Sequence, residues 1–177
     1  MIKSRKDLRE YLKYEKGLYP NTLYDYFVCY QRVYNWRFIK WLRRAEYYKN
    51  TSGILHKLLY LFCARQKNRI GRVIGVEIWE NSFGKGLVIH HNGNIVINGG
   101  ARIGSNCQLH GDNCIGNSKA GSGMPVLGDN VDIGVGAKIL GEVTIANGVI
   151  IGANAVVTKS FLEENITIAG VPARRIK

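Results

Sequence analysis

The sequence predicts a stacked β-solenoid that follows a basic helical region. An aliphatic residue recurs every six positions through residues 97–157, and glycine often stands next to it. Residues 1–72 contain 17 Lys and Arg and only 5 Asp and Glu, a net charge of +12, whereas residues 73–177 contain 8 of each kind. Most aromatic residues also precede residue 73. We therefore divide the chain into a helical region, 1–72, and a repeat domain, 73–177.

The helical region is expected to contain three helices. The stretch SRKDLREYLKYEK offers Ser4 as an N-cap ahead of an apolar stripe. Residues 21–50 carry large apolar residues at helical spacing, which predicts one long second helix. The third helix, ILHKLLYLFCARQKNRI, is expected to end at Gly71. The expected buried stripe of the second helix comprises Leu23, Phe27, Tyr30, Tyr34, Phe38, Trp41 and Leu42.

The repeat domain is periodic over ten positions. If each six-residue unit is one short strand and a turn, its aliphatic residue points into the core and glycine permits the tight turn. A short repeat of this kind implies stacked coils. The predicted inward residues are Ile97, Ile103, Leu109, Ile115, Leu127, Ile133, Ile139, Ile145, Ile151 and Val157.

The repeat is interrupted once, between Ile115 and Leu127. Residues 117–126, which include NSKAGSGMP, are longer than the regular spacing allows. We expect them to form a loop that is extruded from the coil. Polar, glycine-containing loops on rigid scaffolds often carry function.

The repeat resembles the left-handed β-helix of the hexapeptide-repeat acyltransferases, in which three units make one coil. The resemblance covers residues 75–176 and implies a mainly β fold, a left-handed parallel β-helix with a short α-helical N-terminal region. Two longer segments are similar to the serine acetyltransferases. They are GVEIWENSFGKGLVIHHNGNIVINGGARIG and the tail GDNVDIGVGAKILGEVTIANGVIIGANAVVTKS. The IHHNG and LHGDN segments are more similar to the capsule and exopolysaccharide O-acetyltransferases, including the colanic-acid type.

The resemblance implies an acetyl-CoA-dependent O-acetyltransferase, with His91 as catalytic base and Glu77 as its acidic partner. An alcohol is a poor nucleophile at neutral pH, and a neutral imidazole can take its proton during attack on a thioester. A carboxylate on the other ring nitrogen would fix the tautomer and stabilise the imidazolium. These residue types therefore suit acetyl transfer without a covalent enzyme intermediate.

Periodicity alone does not show which of the two adjacent histidines points into the site. Consecutive side chains of an extended segment point to opposite faces, so at most one of His90 and His91 faces a given pocket. If FGKGLV is one unit, Ile89 and His90 are two extra residues before His91, and the register is broken there. The resemblance favours His91 as the base.

Three residues are expected to bind or support the acceptor: His90, His110 and Met124. Three units separate His91 from Leu109, so the LHGDN turn with His110 should lie in the coil next to IHHNG, with the extruded loop close by. His90 stands where the serine enzymes have an aspartate that helps to bind serine. Met124 matches the position of a histidine in their loop.

These departures, together with a shorter helical region and a chain that stops at Lys177, predict a different acceptor from serine. We expect a hydroxyl of a sugar or polysaccharide, in capsule, exopolysaccharide or lipopolysaccharide biosynthesis. Two alternatives stay open. One is a serine O-acetyltransferase of cysteine biosynthesis, and the other is a non-catalytic β-helix assembly protein.

Acetyl-CoA is the expected cosubstrate. The resemblance implies a groove between neighbouring subunits of a homotrimer, or of a dimer of trimers. Small residues would leave backbone groups open to the pantetheine arm, and cations such as Lys138 near the last coils would meet the phosphates. The predicted cofactor-binding residues are Gly116, Asn117, Gly134, Val135, Gly152, Ala153, Lys159, Arg174 and Arg175.

No metal and no nucleic acid are expected as partners. Cys107, His110 and Cys114 occupy different positions of the six-residue unit and should not converge on zinc. The four cysteines form no CxxC pair, so we expect reduced thiols. The basic region carries no nucleic-acid recognition motif.

The basic helical region has two other interpretations. In the first interpretation, the region packs on the trimer as a solvated helical face. In the second, it also attracts anionic lipid or an acidic, lipid-linked glycan. The charged start MIKSRKDLRE contains no secretory h-region. We therefore expect a cytoplasmic protein, with peripheral association at the inner membrane surface left open.

Overall fold

The computed structural model describes residues 1–177, in which four helices precede fourteen short strands. Ser4 caps the first helix, because its hydroxyl accepts from the Asp7 N–H and the Asp7 carboxylate accepts from the Ser4 N–H. This pair satisfies N–H groups that a helix start otherwise leaves free. No helix combines the length and hydrophobicity that a membrane span requires. The helices are α1 (Arg5–Leu18), α2 (Leu23–Phe27), α3 (Gln31–Lys49) and α4 (Ile54–Ile74).

The prediction of one long helix over residues 21–50 is wrong, because the chain breaks between α2 and α3. Cys29 adopts a φ of 53°, a left-handed conformation that a right-handed helix cannot include. Leu23 and Phe27 are 91% and 88% exposed, so the buried stripe begins only in α3. The last helix continues past Gly71 to Ile74, where Gly75 ends it at a φ of 67°.

The strands form three parallel sheets that the chain visits in turn, and the predicted left-handed β-helix is confirmed. The first sheet has the order β1-β3-β6-β9-β12, the second β4-β7-β10, and the third β2-β5-β8-β11-β13, with β14 antiparallel to β13. The strands are β1 (Val76–Ile78), β2 (Val88–Ile89), β3 (Ile95–Ile97), β4 (Arg102–Ile103), β5 (Gln108–Leu109), β6 (Cys114–Gly116), β7 (Val126–Leu127), β8 (Asp132–Ile133), β9 (Lys138–Leu140), β10 (Thr144–Ile145), β11 (Ile150–Ile151), β12 (Val156–Val157), β13 (Thr167–Ala169) and β14 (Arg174–Arg175).

The core of the β-helix is the six-residue ladder. All ten predicted inward residues are buried, and the most exposed of them, Ile103, is only 5% exposed. Parallel pairing places Ile97, Ile115 and Ile139 directly above one another in the first sheet. Each such side chain contributes about 1.5–3 kcal/mol when it is fully buried, so the ladder is the main apolar source of stability in this domain.

The first coil has two residues more than the three regular six-residue units of a coil, and the sequence prediction misplaced these residues. Phe83 and Ile89 are both buried, six positions apart, and continue the ladder. Ile89 pairs with Leu109, so the spacing between these coils is twenty residues rather than eighteen. The extra residues therefore lie in the turn that follows Ile89, and His90 rather than His91 lies beside His110.

A buried ion cluster joins the helices to this first coil. Arg43 of α3 is fully buried, and its guanidinium contacts Glu15 of α1 at 2.7 Å and Glu46 at 2.9 Å. It also donates to the Phe83 carbonyl at 3.0 Å and to the Gly84 carbonyl at 2.5 Å. Burial raises the pKa of Glu46 although the charge of Arg43 acts against it. The cluster is therefore stable only while all its charges are paired.

Helix α4 is fastened to the start of the β-helix by a second buried pair. The Lys67 ammonium donates to Glu80 at 2.7 Å and to the Ile78 carbonyl at 2.9 Å. Burial disfavours ionisation of Glu80, but the hydrogen bond and charge of Lys67, with help from Lys49, hold the pKa of its carboxyl below the usual value. The first coil is thus held by charged contacts from both α3 and α4.

We predict that Arg43→Met lowers the free energy of unfolding by about 3–5 kcal/mol, because it leaves two buried carboxylates without a counter-charge. Arg37→Met, on the exposed side of the same helix, should change it by less than about 0.5 kcal/mol. Urea denaturation of both variants measures the difference. Equal stabilities for the two variants would show that the cluster does not hold the helices to the coil.

Candidate active site

The candidate site lies at the corner where the third sheet turns into the first. This site corner comprises the turns at residues 90–94, 110–113, 134–137 and 152–155. Ile89, Leu109 and Ile133 are stacked in register immediately before three of these turns. Because each inward residue is followed by an outward one, the stacking brings His90 and His110 to the same place on neighbouring coils.

The two stacked histidines and two polar side chains form a continuous column. The rings of His90 and His110 lie 4.4 Å apart, centroid to centroid, at an interplanar angle of 21°. The His90 Nε2 atom is 2.7 Å from Gln108 Oε1, and the His110 Nε2 atom is 2.8 Å from Asp132 Oδ1. Each histidine therefore contacts a polar residue on the next coil. Asp132 is the only carboxylate that forms a hydrogen bond with a histidine ring in the structure.

The helices hold the strand that precedes this corner. The Tyr19 hydroxyl accepts from the Ile89 N–H at 2.7 Å, and Asn35 of α3 donates to the Ile89 carbonyl at 3.0 Å. Gln31 donates to the His90 carbonyl at 3.1 Å. Burial raises the pKa of Tyr19, so its hydroxyl stays neutral. The backbone of the IHHNG segment is thus fixed by helical side chains.

His91 projects from the corner without a partner. Its ring makes no hydrogen bond within the chain and is exposed to solvent. It lines a cleft of about 560 Å³ that runs along the corner beside His110 and Asp132. The other lining residues are Asn92, Gly111, Asp112, Gly134, Val135, Ile150, Ile151, Gly152 and Ala153. An imidazole with both nitrogens free in an open cleft is suited to take a proton from a ligand.

Four of the predicted cofactor-binding residues line this cleft, namely Gly134, Val135, Gly152 and Ala153. A Cβ on Gly134 would lie 2.7 Å from the Ala153 nitrogen, so the close stacking of coils itself requires glycine there. At the rim, the Lys138 ammonium lies 3.2 Å from the Asp112 carboxylate. The cleft therefore has backbone-rich walls, and the charged side chains that line it are the carboxylates of Asp112 and Asp132.

The remaining predicted cofactor-binding residues lie elsewhere. Gly116 ends β6 at the corner between the first and second sheets, and Asn117 donates to the Lys119 carbonyl there at 2.8 Å. The Lys159 ammonium lies 5.4 Å from the Phe161 ring centroid. Arg174 is exposed, and Arg175 forms an ion pair with Glu163 at 2.5 Å. A single chain does not bring these residues to the cleft beside His91.

Glu77 does not contact His91 in this chain. Its carboxylate accepts from the Trp79 indole at 3.3 Å. It lines a separate cavity of about 460 Å³ between α4 and the first sheet, together with Arg72 and Tyr60. The role of Glu77 as the acidic partner of His91 therefore stays a prediction.

The loop between β6 and β7 leaves the coil at a different corner from the histidines. Strand β6 ends at Gly116 and β7 begins at Val126. Met124 packs on the backbone of the preceding coil, where a Cβ on Gly100 would lie 2.6 Å from the Met124 Cγ. The expectation that this loop and the histidines share one place does not hold within one chain, because they follow different sheets.

Two residues of the column, Gln108 and Asp132, were missed in the sequence. Both stand immediately before an inward residue of the third sheet, whereas the histidines stand immediately after one. Polar residues that flank the ladder on neighbouring coils are a signal that could have identified them. Cys107, in contrast, is buried in the coil interior, where burial raises the pKa of its thiol to about 12.

Comparisons with known proteins agree with this fold. The family described as "Bacterial transferase hexapeptide (six repeats)" matches residues 124–159. A serine acetyltransferase of Helicobacter pylori is 39% identical over 126 residues, which are 69% of this chain and 73% of that protein. One of Buchnera aphidicola is 31% identical over 144 residues, 79% of this chain and 55% of that protein. A crystal structure of serine acetyltransferase in complex with coenzyme A from Brucella abortus is 25% identical, with a TM-score of 0.75 over 97% of this chain and 68% of that chain.

The repeats, the corner and the cleft define a transferase of the hexapeptide-repeat class. Within that class, the chain belongs to the serine acetyltransferase family. It spans 55% of the length of the Buchnera relative and 73% of the Helicobacter one.

The predicted sugar or polysaccharide acceptor is wrong. The relatives and the structural neighbours are serine acetyltransferases, which supports the alternative that the sequence left open. The prediction depended on the residue types at His90 and Met124. Met124 lies at a different corner from His91, so it is not part of the pocket that a single chain forms around His91.

Proposed function

We propose that this protein transfers the acetyl group of acetyl-CoA to the hydroxyl of serine. The observation that carries the proposal is the free imidazole of His91 at the edge of an open cleft. Membership of the serine acetyltransferase family supports the choice of donor and acceptor. A protein that served only for assembly would have no use for this arrangement, so the enzyme is favoured over the assembly alternative.

His91 acts as the general base in this proposal. The serine hydroxyl attacks the thioester carbonyl while His91 accepts its proton, and the carbon–sulfur bond then breaks. The proton passes from the imidazolium to the departing thiolate, so the histidine is regenerated without a covalent intermediate. Backbone N–H groups at the turns of the corner are suited to stabilise the developing oxyanion.

The His90, His110 and Asp132 column supports this base from one side. Asp132 fixes the ring of His110, and the stacked His90 ring continues that surface towards the turn that bears His91. We assign these residues a positioning role, since two of the imidazoles are already occupied by hydrogen bonds. Glu77 as the partner of His91 stays a prediction, which slower turnover of Glu77→Gln would support.

The cleft along the corner is the proposed site of acetyl-CoA. Gly134, Val135, Gly152 and Ala153 would lie along the pantetheine arm. Lys138, which is paired with Asp112 outside the cleft lining, stays a candidate for a phosphate contact. The complex of coenzyme A with the Brucella abortus enzyme, which shares this fold, supports coenzyme A as a ligand.

We also propose that the protein is a homotrimer. Six large apolar side chains on α4 are more than half exposed in one chain, and burial against copies would remove them from water. They are Ile54, Leu55, Leu58, Leu61, Phe62 and Val73. Attraction of the basic helices to an anionic surface stays a prediction.

The first expected outcome concerns the acceptor. Thiol release from acetyl-CoA should depend on serine, and sugars and oligosaccharides at the same concentration should give only the background rate of hydrolysis. The measurement is a colorimetric thiol assay with mass analysis of the product for O-acetylserine. Turnover with a sugar but not with serine would refute the proposed function.

The second expected outcome concerns the base. His91→Ala should lower kcat by roughly 10²-fold or more, the range for loss of a general base, with little change in the Kd of CoA. Asp132→Asn, the matched variant in the column, should lower kcat much less, since it only positions His110. Steady-state kinetics decide between them. A collapsed kcat for His110→Ala and Asp132→Asn, with a normal one for His91→Ala, would identify His110 as the base instead.

A further inference from the structure

A second cavity, of about 250 Å³, meets the cleft at His91. It lies between the helices and the site corner, and both His90 and His91 line it. From the helical side it is lined by Tyr30, Gln31 and Arg32. This volume equals roughly eight waters at about 30 Å³ each, which suits a molecule the size of a free amino acid. His91 is the only residue that lines both this second cavity and the cleft of about 560 Å³.

Among the residues that line this second cavity, Arg32 is the only Lys, Arg, Asp or Glu. Its Nη2 atom donates to both oxygens of Asp25 at 2.8 Å, and Asp25 also caps α2. The guanidinium lies 5.2 Å from the Tyr30 ring centroid. These contacts fix the plane of the guanidinium at the cavity wall.

The rest of the Arg32 guanidinium has unused donors. Its Nη1 atom has no hydrogen-bond partner within the chain, and the side chain is 42% exposed, so this donor is open to a ligand. The Nε atom is buried and lies out of reach of the cavity. A guanidinium carries five N–H donors, so the pair with Asp25 leaves others free for a second acceptor. The fork geometry of arginine matches a carboxylate, which is the ligand that best satisfies such donors.

We propose that Arg32 binds the carboxylate of the acceptor amino acid and thereby presents its hydroxyl to His91. This inference rests on the proposed function, and it adds the residue that selects an acceptor with a free carboxylate. Donor and acceptor would then enter from opposite sides of His91, with acetyl-CoA in the large cleft and serine in the smaller cavity. Asp25 is a positioning residue, because it holds the guanidinium and does not face the hydroxyl.

The test compares serine with serinamide, which keeps the hydroxyl and the amine but has no carboxylate. In the unmodified protein, kcat/KM should be at least about 10- to 100-fold higher for serine, the range for a charged hydrogen bond. Arg32→Gln should lower kcat/KM for serine by a similar factor, mainly through KM, and should leave serinamide unchanged. Arg32→Lys should restore part of the loss. Arg37→Gln, which lies outside the cavity on the same helix, should have no effect.

The outcomes separate the two proposals. If the unmodified protein acetylates neither serine nor serinamide, the proposed function fails. If it acetylates both equally well, or if Arg32→Gln keeps the preference for serine, the function stands and Arg32 is not the carboxylate site. Thermal unfolding and the Kd of CoA check that Arg32→Gln is folded. If that variant does not fold, the serine-to-serinamide ratio of the unmodified protein and of Arg32→Lys decides.

Discussion

The structure depends on one buried arginine at the junction between its two parts. Arg43 lies at the meeting point of α1, α3 and the first coil, and all its partners come from those three elements. Burial of three charges costs several kcal/mol for each ion unless they are paired and hydrogen-bonded. The helices can therefore dock on the coil in only one orientation, the one in which both carboxylates and both backbone carbonyls reach the guanidinium.

That orientation determines the candidate site. Because α3 is fixed by Arg43, its first turns bring Gln31 and Asn35 against the strand that ends at Ile89. The turn that follows contains the only extra residues of the first coil, and it departs from the regular stack. His91 is consequently free of the column that His90 and His110 form, and it stands where two cavities meet. An acyl transfer needs two ligands to approach one base, and this position provides for both.

The repeat made the fold of the second half predictable, since a period of six repeated ten times has few other physical solutions. The helical region was less predictable. The apolar spacing over residues 21–50 suits one helix, and it does not show the break at Cys29, which the local pair of Asp25 with Arg32 accompanies. In the site, the corner follows from counting units, but the extra residues of the first coil could not be located by counting alone. The pairing of Asp132 with His110 was visible in principle and was overlooked.

The prediction of the acceptor was wrong for a different reason. Single residues that depart from a family pattern indicated a new substrate, yet the relatives are serine acetyltransferases. The residues that face the small cavity come from a helix nearly sixty positions before the histidines, as Gln31 and the His90 carbonyl illustrate. No local motif in the repeat domain contains such long-range contacts.

A crystal structure of the protein with coenzyme A and serine bound would show directly whether His91 is the base. Coenzyme A should follow the cleft past Gly134 and Gly152 with its sulfur beside His91. The serine hydroxyl should lie within hydrogen-bond distance of the His91 ring from the opposite side. Coenzyme A in the cavity beside Trp79, or a serine hydroxyl that contacts His110 while His91 faces only solvent, would contradict it.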